Sequence, residues 1–442
     1  MTRFIALLCT VAMLGLQCQS YNPQYQQDAD NPKYLHAGVQ RLTEIILHDI
    51  FSPPVASRIY AYSVVAGYEA MQPGYPEYQS LSGSLNGLSK PPQPEADATY
   101  CFPLAGINAM LIVGKTLVFS EENVETLEEE ILRDFQALNM PPDVYKRSLE
   151  YGRAVAEHIV AWSKTDRYAE TRSLPKFTID TKTPGRWRPT PPAYSDALEP
   201  YWGSIRTWVL RSPTEVLSDP PAPFSTQKGS EFYTQAMATY EAVRNLSDEQ
   251  IAIAWYWDDN PFAQVQFGHL MSSRKKISPG GHWMSITTTA CRKAGKNAIE
   301  SAQAYVLTAV SLADAFIACW DEKYRTNLIR PETYINEHID PEWTPLIQTP
   351  PFPEHTSGHS TISASAASAL TLLLGDNFAF TDSTEVVFGM EARTFPSFMA
   401  AAEEVAMSRL YGGIHYPRGN EAGTKCGREI GRLVSERLRF KP

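Results

Sequence analysis

The chain has 442 residues, 43% hydrophobic and 20% charged, the balance of a folded protein and not of a disordered one. A formal net charge of −10 excludes a general nucleic-acid-binding surface. Any anion site must therefore be a local positive pocket set into an acidic body.

At the N-terminus Arg3 precedes an apolar run, Phe4 to Leu16, too short to span a bilayer as an ordinary helix. Residues 1–20 read as a secretory signal peptide, so the protein is expected to be exported, to the periplasm, the cell surface or the medium. Cys18 follows Leu14-Gly15-Leu16-Gln17 and is a candidate lipid-anchor cysteine, although Gln17 replaces the small residue usual before such a cysteine. The remaining Cys101, Cys291, Cys319 and Cys426 are widely spaced and form no CxxC, so they are expected to be buried thiols. One bridged pair stays open at this stage.

From residue 30 onward the apolar spacing is helical. It predicts helices over 36–50, 54–71, 103–118, 121–137, 144–164, 229–244 and 247–257, then 281–294, 296–328, 358–374, 397–411 and 421–438. The stretch 73–100, rich in Gly, Ser and Pro, reads as a long loop. The stretch 166–225 holds most of the proline clusters together with Trp187, Tyr194, Tyr201, Trp202 and Trp208, and is expected to wrap over the helical body. Ala298 to Trp320 is apolar nearly all round, the mark of a core helix. Glu300, Gln303 and Asp314 interrupt it and weaken a transmembrane reading, so no transmembrane helix is expected. No solenoid repeat is present, which favours a single all-α domain over 21–442, with an N-terminal helical part (21–245) and a chemical core (246–442).

Three short motifs in that core suit a tetrahedral oxyanion. Lys323 and Arg330-Pro331 offer two cations near one helix end, where Pro331 disfavours helix at Arg330. By themselves two such cations are usually solvated surface residues. Ser357-Gly358-His359 opens an amphipathic helix, and free N–H groups at a helix start attract anions. A plain Ser cap would look the same. Ser408-Arg409 ends a further helix and His415 follows the Gly412-Gly413 break; taken singly, these are a dipole-matched arginine and a loop histidine. The joint order is the specific signal: Lys-x6-Arg-Pro, 25 residues, Ser-Gly-His, 48 residues, Ser-Arg-x5-His.

This order resembles the superfamily that joins vanadium-dependent haloperoxidases with type 2 phosphatidic acid phosphatases and bacterial class A acid phosphatases, whose fold is an all-α helical bundle. The motifs cover residues 323–415. The resemblance implies vanadate or phosphate binding by Lys323, Arg330, Ser357, Gly358, His359, Arg409 and His415. It makes His359 the acid–base group and Lys323 the cation that polarises peroxide. His415 becomes the residue that bonds vanadium, or attacks phosphorus in the phosphatases. Two positions depart from the pattern. Thr356 replaces a proline, and Gly419 replaces the aspartate that partners the last histidine. A backbone carbonyl, Asn420 or Glu421 is then the expected substitute partner for His415.

Trp320 and Phe352 are similar to the aromatic pair on the halide side of chloride- and iodide-oxidising haloperoxidases; both residue types also serve simply as core. Trp257-Asp258-Asp259-Asn260-Pro261 and Pro279-Gly280-Gly281-His282-Trp283 resemble bacterial haloperoxidase segments. The implied activity is oxidation of halide, iodide favoured and bromide next, by hydrogen peroxide at vanadate, with neither haem nor flavin. A phosphomonoesterase of the same fold is the alternative, and a non-catalytic surface-binding protein a third reading. Asp321, Phe262 and His355 are further candidates for tuning halide choice. The resemblance leaves oligomeric state open.

Overall fold

The computed structural model describes residues 21–261, 263–267, 270–273 and 276–442. The expected signal peptide with Cys18, and Phe262, lie outside the described residues. The described residues are mostly helical with two short hairpins, an all-α protein. In chain order the helices are α1 (Tyr25–Ala29), α2 (Lys33–His48), α3 (Pro53–Met71), α4 (Phe102–Leu117), α5 (Glu121–Ala137), α6 (Pro142–Ser163) and α7 (Tyr168–Thr171). They continue with α8 (Glu231–Arg244), α9 (Asp248–Tyr256), α10 (Pro279–Lys293), α11 (Ala298–Thr326), α12 (Pro331–His338), α13 (Gly358–Leu374), α14 (Phe398–Tyr411) and α15 (Pro417–Arg437). Two antiparallel hairpins pair β1 (Gln264–Phe267) with β2 (Leu270–Ser273) and β3 (Phe380–Asp382) with β4 (Arg393–Phe395).

Local signals set most boundaries. Asn297 and Glu300 form a reciprocal capping box at the start of α11. Ser278 caps α10, with Pro279 at its first position. Where α11 was expected to run to about 328, it stops at Thr326, and Asn327 turns left-handed at φ 49°. Pro331 does more than end a helix: its fixed φ starts α12, and Arg330 is the extended residue before it. The two cations of the first motif thus sit on different pieces of backbone. Lys323 lies in the last turn of α11, and Arg330 in the link to α12.

Helix α11 is the axis of the molecule, packed between α3 and α13, with α10 and α15 alongside. It is long and apolar enough to cross a membrane, but 94% of its apolar window is buried inside the protein. The polar residue in its middle is used structurally. The buried Asp314 carboxylate accepts the backbone N–H groups of Trp208, Val209 and Leu210 at 2.7, 2.8 and 2.9 Å. Burial nonetheless lifts its pKa to about 6. The proline-rich segment 166–225 is pinned to the core helix at that point. It continues to the end of α11, where Trp187 N–H reaches the carbonyl of Asn327 and the Leu198 carbonyl accepts Trp320 Nε1 at 3.2 Å and Tyr324 OH at 2.6 Å.

Helices α13 and α15 lie close because α15 carries glycine every fourth residue. A Cβ at Gly423, Gly427 or Gly431 would come within 2.9, 2.0 and 2.2 Å of the carbonyl oxygens of Ser357, Thr361 and Ser365. This ridge brings the first turn of α15 against the first turn of α13. Cys101, Cys291, Cys319 and Cys426 are all free and buried, so the open question of a bridged pair is answered against it.

Candidate active site

The fold brings the three motifs together. Ser357 caps α13, its Oγ accepting from Ser360 N at 3.4 Å and from Ser360 Oγ at 2.8 Å. Ser360 Oγ has one hydrogen and lies within reach of both Ser357 Oγ (2.8 Å) and Asn420 Oδ1 (3.3 Å), so the three side chains form one chain of hydrogen bonds. The cap of α13 and the serine of the Ser-Gly-His motif are therefore one residue. A Cβ on Gly358 would touch the Trp320 ring at 3.5 Å and the Lys323 stem at 3.8 Å, so the start of α13 rests directly on the end of α11.

Lys323, Arg330 and Arg409 are all fully buried. Lys323 Nζ donates to the carbonyls of Pro353 (3.0 Å), Glu354 (2.9 Å) and Thr356, which takes up all three ammonium hydrogens. Burial, and then the neighbouring Arg330, pull its pKa down to about 7. Arg330 donates through Nε to Phe352 O at 2.8 Å and through Nη1 to Ile414 O at 2.9 Å and His415 Nε2 at 3.2 Å. Its Nη2 is buried without a partner. Arg409 is held by Ser408 Oγ at 3.0 Å and by the Trp257 carbonyl.

His359 is half-buried, and its Nε2 is shielded and without a partner. Burial, reinforced by Arg409, drives its pKa well below the ordinary histidine value. His415 is pushed the same way, first by burial and then by Arg330, Lys323 and Arg409. Its Nδ1 does not look to a carbonyl, to Asn420 or to Glu421. Asn420 Oδ1 instead accepts Ser360 Oγ at 3.3 Å, and Glu421 is exposed. The partner is Glu354: its Oε1 lies 2.8 Å from His415 Nδ1, with both side chains buried, and also accepts the Tyr416 N–H at 3.1 Å. Burial lifts the Glu354 carboxyl to about 7 against the pull of Lys323 and Arg330.

The cavity is lined by Pro53, Phe316, Trp320 and Phe352 together with His359 and His415. Trp320 and Phe352 meet at 5.0 Å between ring centroids. Lys323 Nζ and the Arg330 guanidinium carbon lie 5.1 and 4.9 Å from the centre of the Phe352 ring, both within cation–π range. Asp321 faces away, paired with Arg325 at 3.3 Å. His355 also points outward, to Ser218 Oγ (3.2 Å) and Asp219 O (3.0 Å).

Comparison with solved structures identifies this architecture. The chain is 46% identical to a protein described as the first bacterial vanadium-dependent iodoperoxidase, with a TM-score of 0.88 over 93% of this chain and 98% of that one. It belongs to the vanadium-dependent haloperoxidase family. Apo and holo structures of a bacterial vanadium-dependent chloroperoxidase share the fold at 16% identity, with TM-scores of 0.67 over 88% of this chain and 94% of that one, and 0.65 over 95% and 96%. Residues 303–441 match the family model described as the VCPO second helical-bundle domain. No curated protein matches.

A haloperoxidase of this family is an enzyme whose implied cofactor is vanadate, and the residues fit an oxyanion. The orphaned Arg330 Nη2 is a buried donor without an acceptor, and the N–H groups at the start of α13 are of the kind that attract anions. His359 Nε2 and His415 Nε2 are ring nitrogens beside them, and three buried cations surround the group.

Sequence reasoning missed Glu354. It stood in plain view within Phe352-Pro353-Glu354-His355, but nothing in an extended segment marks which chain-distant histidine it meets. The two other haloperoxidase-like segments proved to lie behind Arg409. The Trp257 ring stacks on His282 at 4.5 Å, and His282 bridges Asp259 and Asp382.

Proposed function

We propose that this haloperoxidase oxidises halide with hydrogen peroxide, iodide in preference to bromide, outside the cytoplasm, with vanadate held by Lys323, Arg330, Ser357, Gly358, His359, Arg409 and His415. One observation carries the assignment: two histidines pushed toward neutrality line a cavity that Trp320 and Phe352 also line, and Arg330, whose Nη1 meets His415 Nε2 at 3.2 Å, keeps a buried Nη2 without a partner beside them. Iodide is favoured on the likeness to the bacterial iodoperoxidase. Export rests on the reading of residues 1–20, and residues 21–442 are taken as one domain.

Bound vanadate supplies Lewis-acid activation of peroxide without changing oxidation state. The chain supplies the rest. Arg330 and Arg409 would hold and neutralise the vanadate oxygens, and Lys323 would add charge behind them. His415 offers a lone pair on Nε2. His359, whose pKa is driven well below the ordinary value, would accept and hand back a proton at its unpartnered Nε2. Trp320 and Phe352 keep bulk water from the halide side.

The usual argument that a histidine without a carboxylate partner cannot be a phosphatase nucleophile does not apply here, since Glu354 provides one. The decisive test is therefore a paired assay on one purified sample. Vanadate plus peroxide should switch on iodide oxidation, while a chromogenic phosphate ester should be turned over poorly. Ester hydrolysis that vanadate inhibits, with no halide oxidation, would overturn the proposal.

A further inference from the structure

We propose that Glu354 and Gly419 are a matched pair: the carboxylate that orients His415 is carried by the segment ahead of α13, and position 419 is glycine because that carboxylate fills its space. The inference rests on the haloperoxidase reading only in taking His415 Nε2 as the atom that meets the oxyanion.

Two partners fix the tautomer of His415 independently. Arg330 Nη1 can only donate, so Nε2, 3.2 Å away, must carry a lone pair. The ring proton is then on Nδ1, which points at Glu354 Oε1 over 2.8 Å. Oε1 also receives the Tyr416 N–H and so is an acceptor twice over. The backbone of Glu354 is held at both ends, its N–H by the Leu328 carbonyl at 3.0 Å and its carbonyl by Lys323. The carboxylate is thus placed in advance by residues of the oxyanion site itself.

The glycines of α15 separate packing from chemistry. A Cβ at 423, 427 or 431 would find a backbone carbonyl of α13 as its nearest obstacle. At 419 the three nearest atoms all belong to the Glu354 carboxyl group: Oε1 at 2.3 Å, Cδ at 3.0 Å and Oε2 at 3.1 Å. Three of these glycines serve the helix contact, and the first serves Glu354. Side chains at 354 and 419 therefore compete for one space beside Nδ1, and an aspartate at 419 could orient His415 only if Glu354 were cut back. Glu354 acts through His415 and is a positioning residue.

The test uses the full chain, stripped of vanadate, with the variants Glu354→Ala, Glu354→Gln, Gly419→Asp and the double Glu354→Ala/Gly419→Asp. Vanadate and, separately, inorganic phosphate are titrated calorimetrically, and histidine-selective 15N NMR reads the His415 tautomer; thermal melting checks folding. Glu354→Ala should lose vanadate affinity by about 10–100-fold, the usual effect of removing a ligand's outer partner, and mix the two tautomers. Glu354→Gln, which keeps an acceptor oxygen, should lose less. Gly419→Asp alone should lose at least as much as Glu354→Ala, and the double variant should regain most of the loss. Wild-type affinity and an unchanged tautomer in Glu354→Ala would overturn the pairing. So would a harmless Gly419→Asp, or a well-folded double variant no better than Glu354→Ala. If the double variant does not fold, the tautomer and affinity of Glu354→Ala and Glu354→Gln decide. A wild-type protein that binds phosphate but not vanadate would sink the haloperoxidase reading, and the phosphate and tautomer arms would still judge the pair.

Discussion

Arg409 connects to His282 through Trp257, whose carbonyl it meets and whose ring stacks on His282, and its charge also acts on His415; both histidines are buried against carboxylates. Burial alone lowers a histidine pKa, and at His282 this is outweighed by Asp259 on Nδ1 (3.1 Å) and Asp382 on Nε2 (2.6 Å), which raise it well above the ordinary value. With both nitrogens donating, the ring is an imidazolium and has no lone pair to give. His415 has one carboxylate, and burial, reinforced by Arg330, Lys323 and Arg409, drives it the other way. With both rings buried, the number and sign of the neighbouring charges set whether burial is overcome, as at His282, or reinforced, as at His415.

The largest effect should come from breaking the second half of that contrast. His415→Ala should abolish vanadate retention and iodide oxidation, with a loss exceeding the roughly 10–100-fold expected when only an outer partner is removed; equilibrium dialysis with metal analysis and an iodide assay measure it. Breaking the first half should instead act on stability. His282→Ala leaves Asp259 and Asp382 buried without their cation and should cost about 3–5 kcal/mol in denaturant unfolding.

The sign of the pH dependence follows from the shifts. The His282 pKa is raised, so its contribution is full below the unfolded value of about 6.5 and is lost as pH rises toward the folded value. The Asp382 carboxyl is held down at about 2, chiefly by His282 against its own burial, so its contribution is lost as pH falls below about 4. Stability contributed by the pair should therefore peak between about pH 4 and 6.5. A His282→Ala profile should be flatter above that window.

Lys323 sharpens the comparison from the cation side. Its ammonium is charged below about 7 in the free protein, so affinity for sulfate, which does not titrate in this range, should fall as pH rises through 7. Lys323→Gln should bind more weakly and show a shallower dependence in the same calorimetric titration. The smallest effect is expected at Ser357→Ala. Loss of the α13 cap should cost about 0.5–2 kcal/mol in stability, with a several-fold weakening of oxyanion binding.

The helices were legible because each is a local problem of spacing and caps, and 358–374 coincides residue for residue with α13. The Ser-Gly-His motif was legible for the same reason, since its serine is also the cap of α13. The hairpins were not, because strands of three or four residues carry too little alternation to read. Nor was α12, whose Pro331 signals a stop and a start alike.

The sequence by itself determined that this is a helical protein with a buried α11, because apolar spacing is local, and its motif order proposed Lys323, Arg330, Ser357, Gly358, Arg409 and two histidines as an oxyanion set. It placed Gly419 as a missing carboxylate. Only the tertiary structure showed that the carboxylate is present, arriving from Glu354, 61 residues before His415 in the chain. A hydrogen bond between chain-distant residues leaves no periodicity or spacing to read. It exists only because a glycine ridge lets α15 lie against α13 and leaves room at its first turn for the Glu354 side chain.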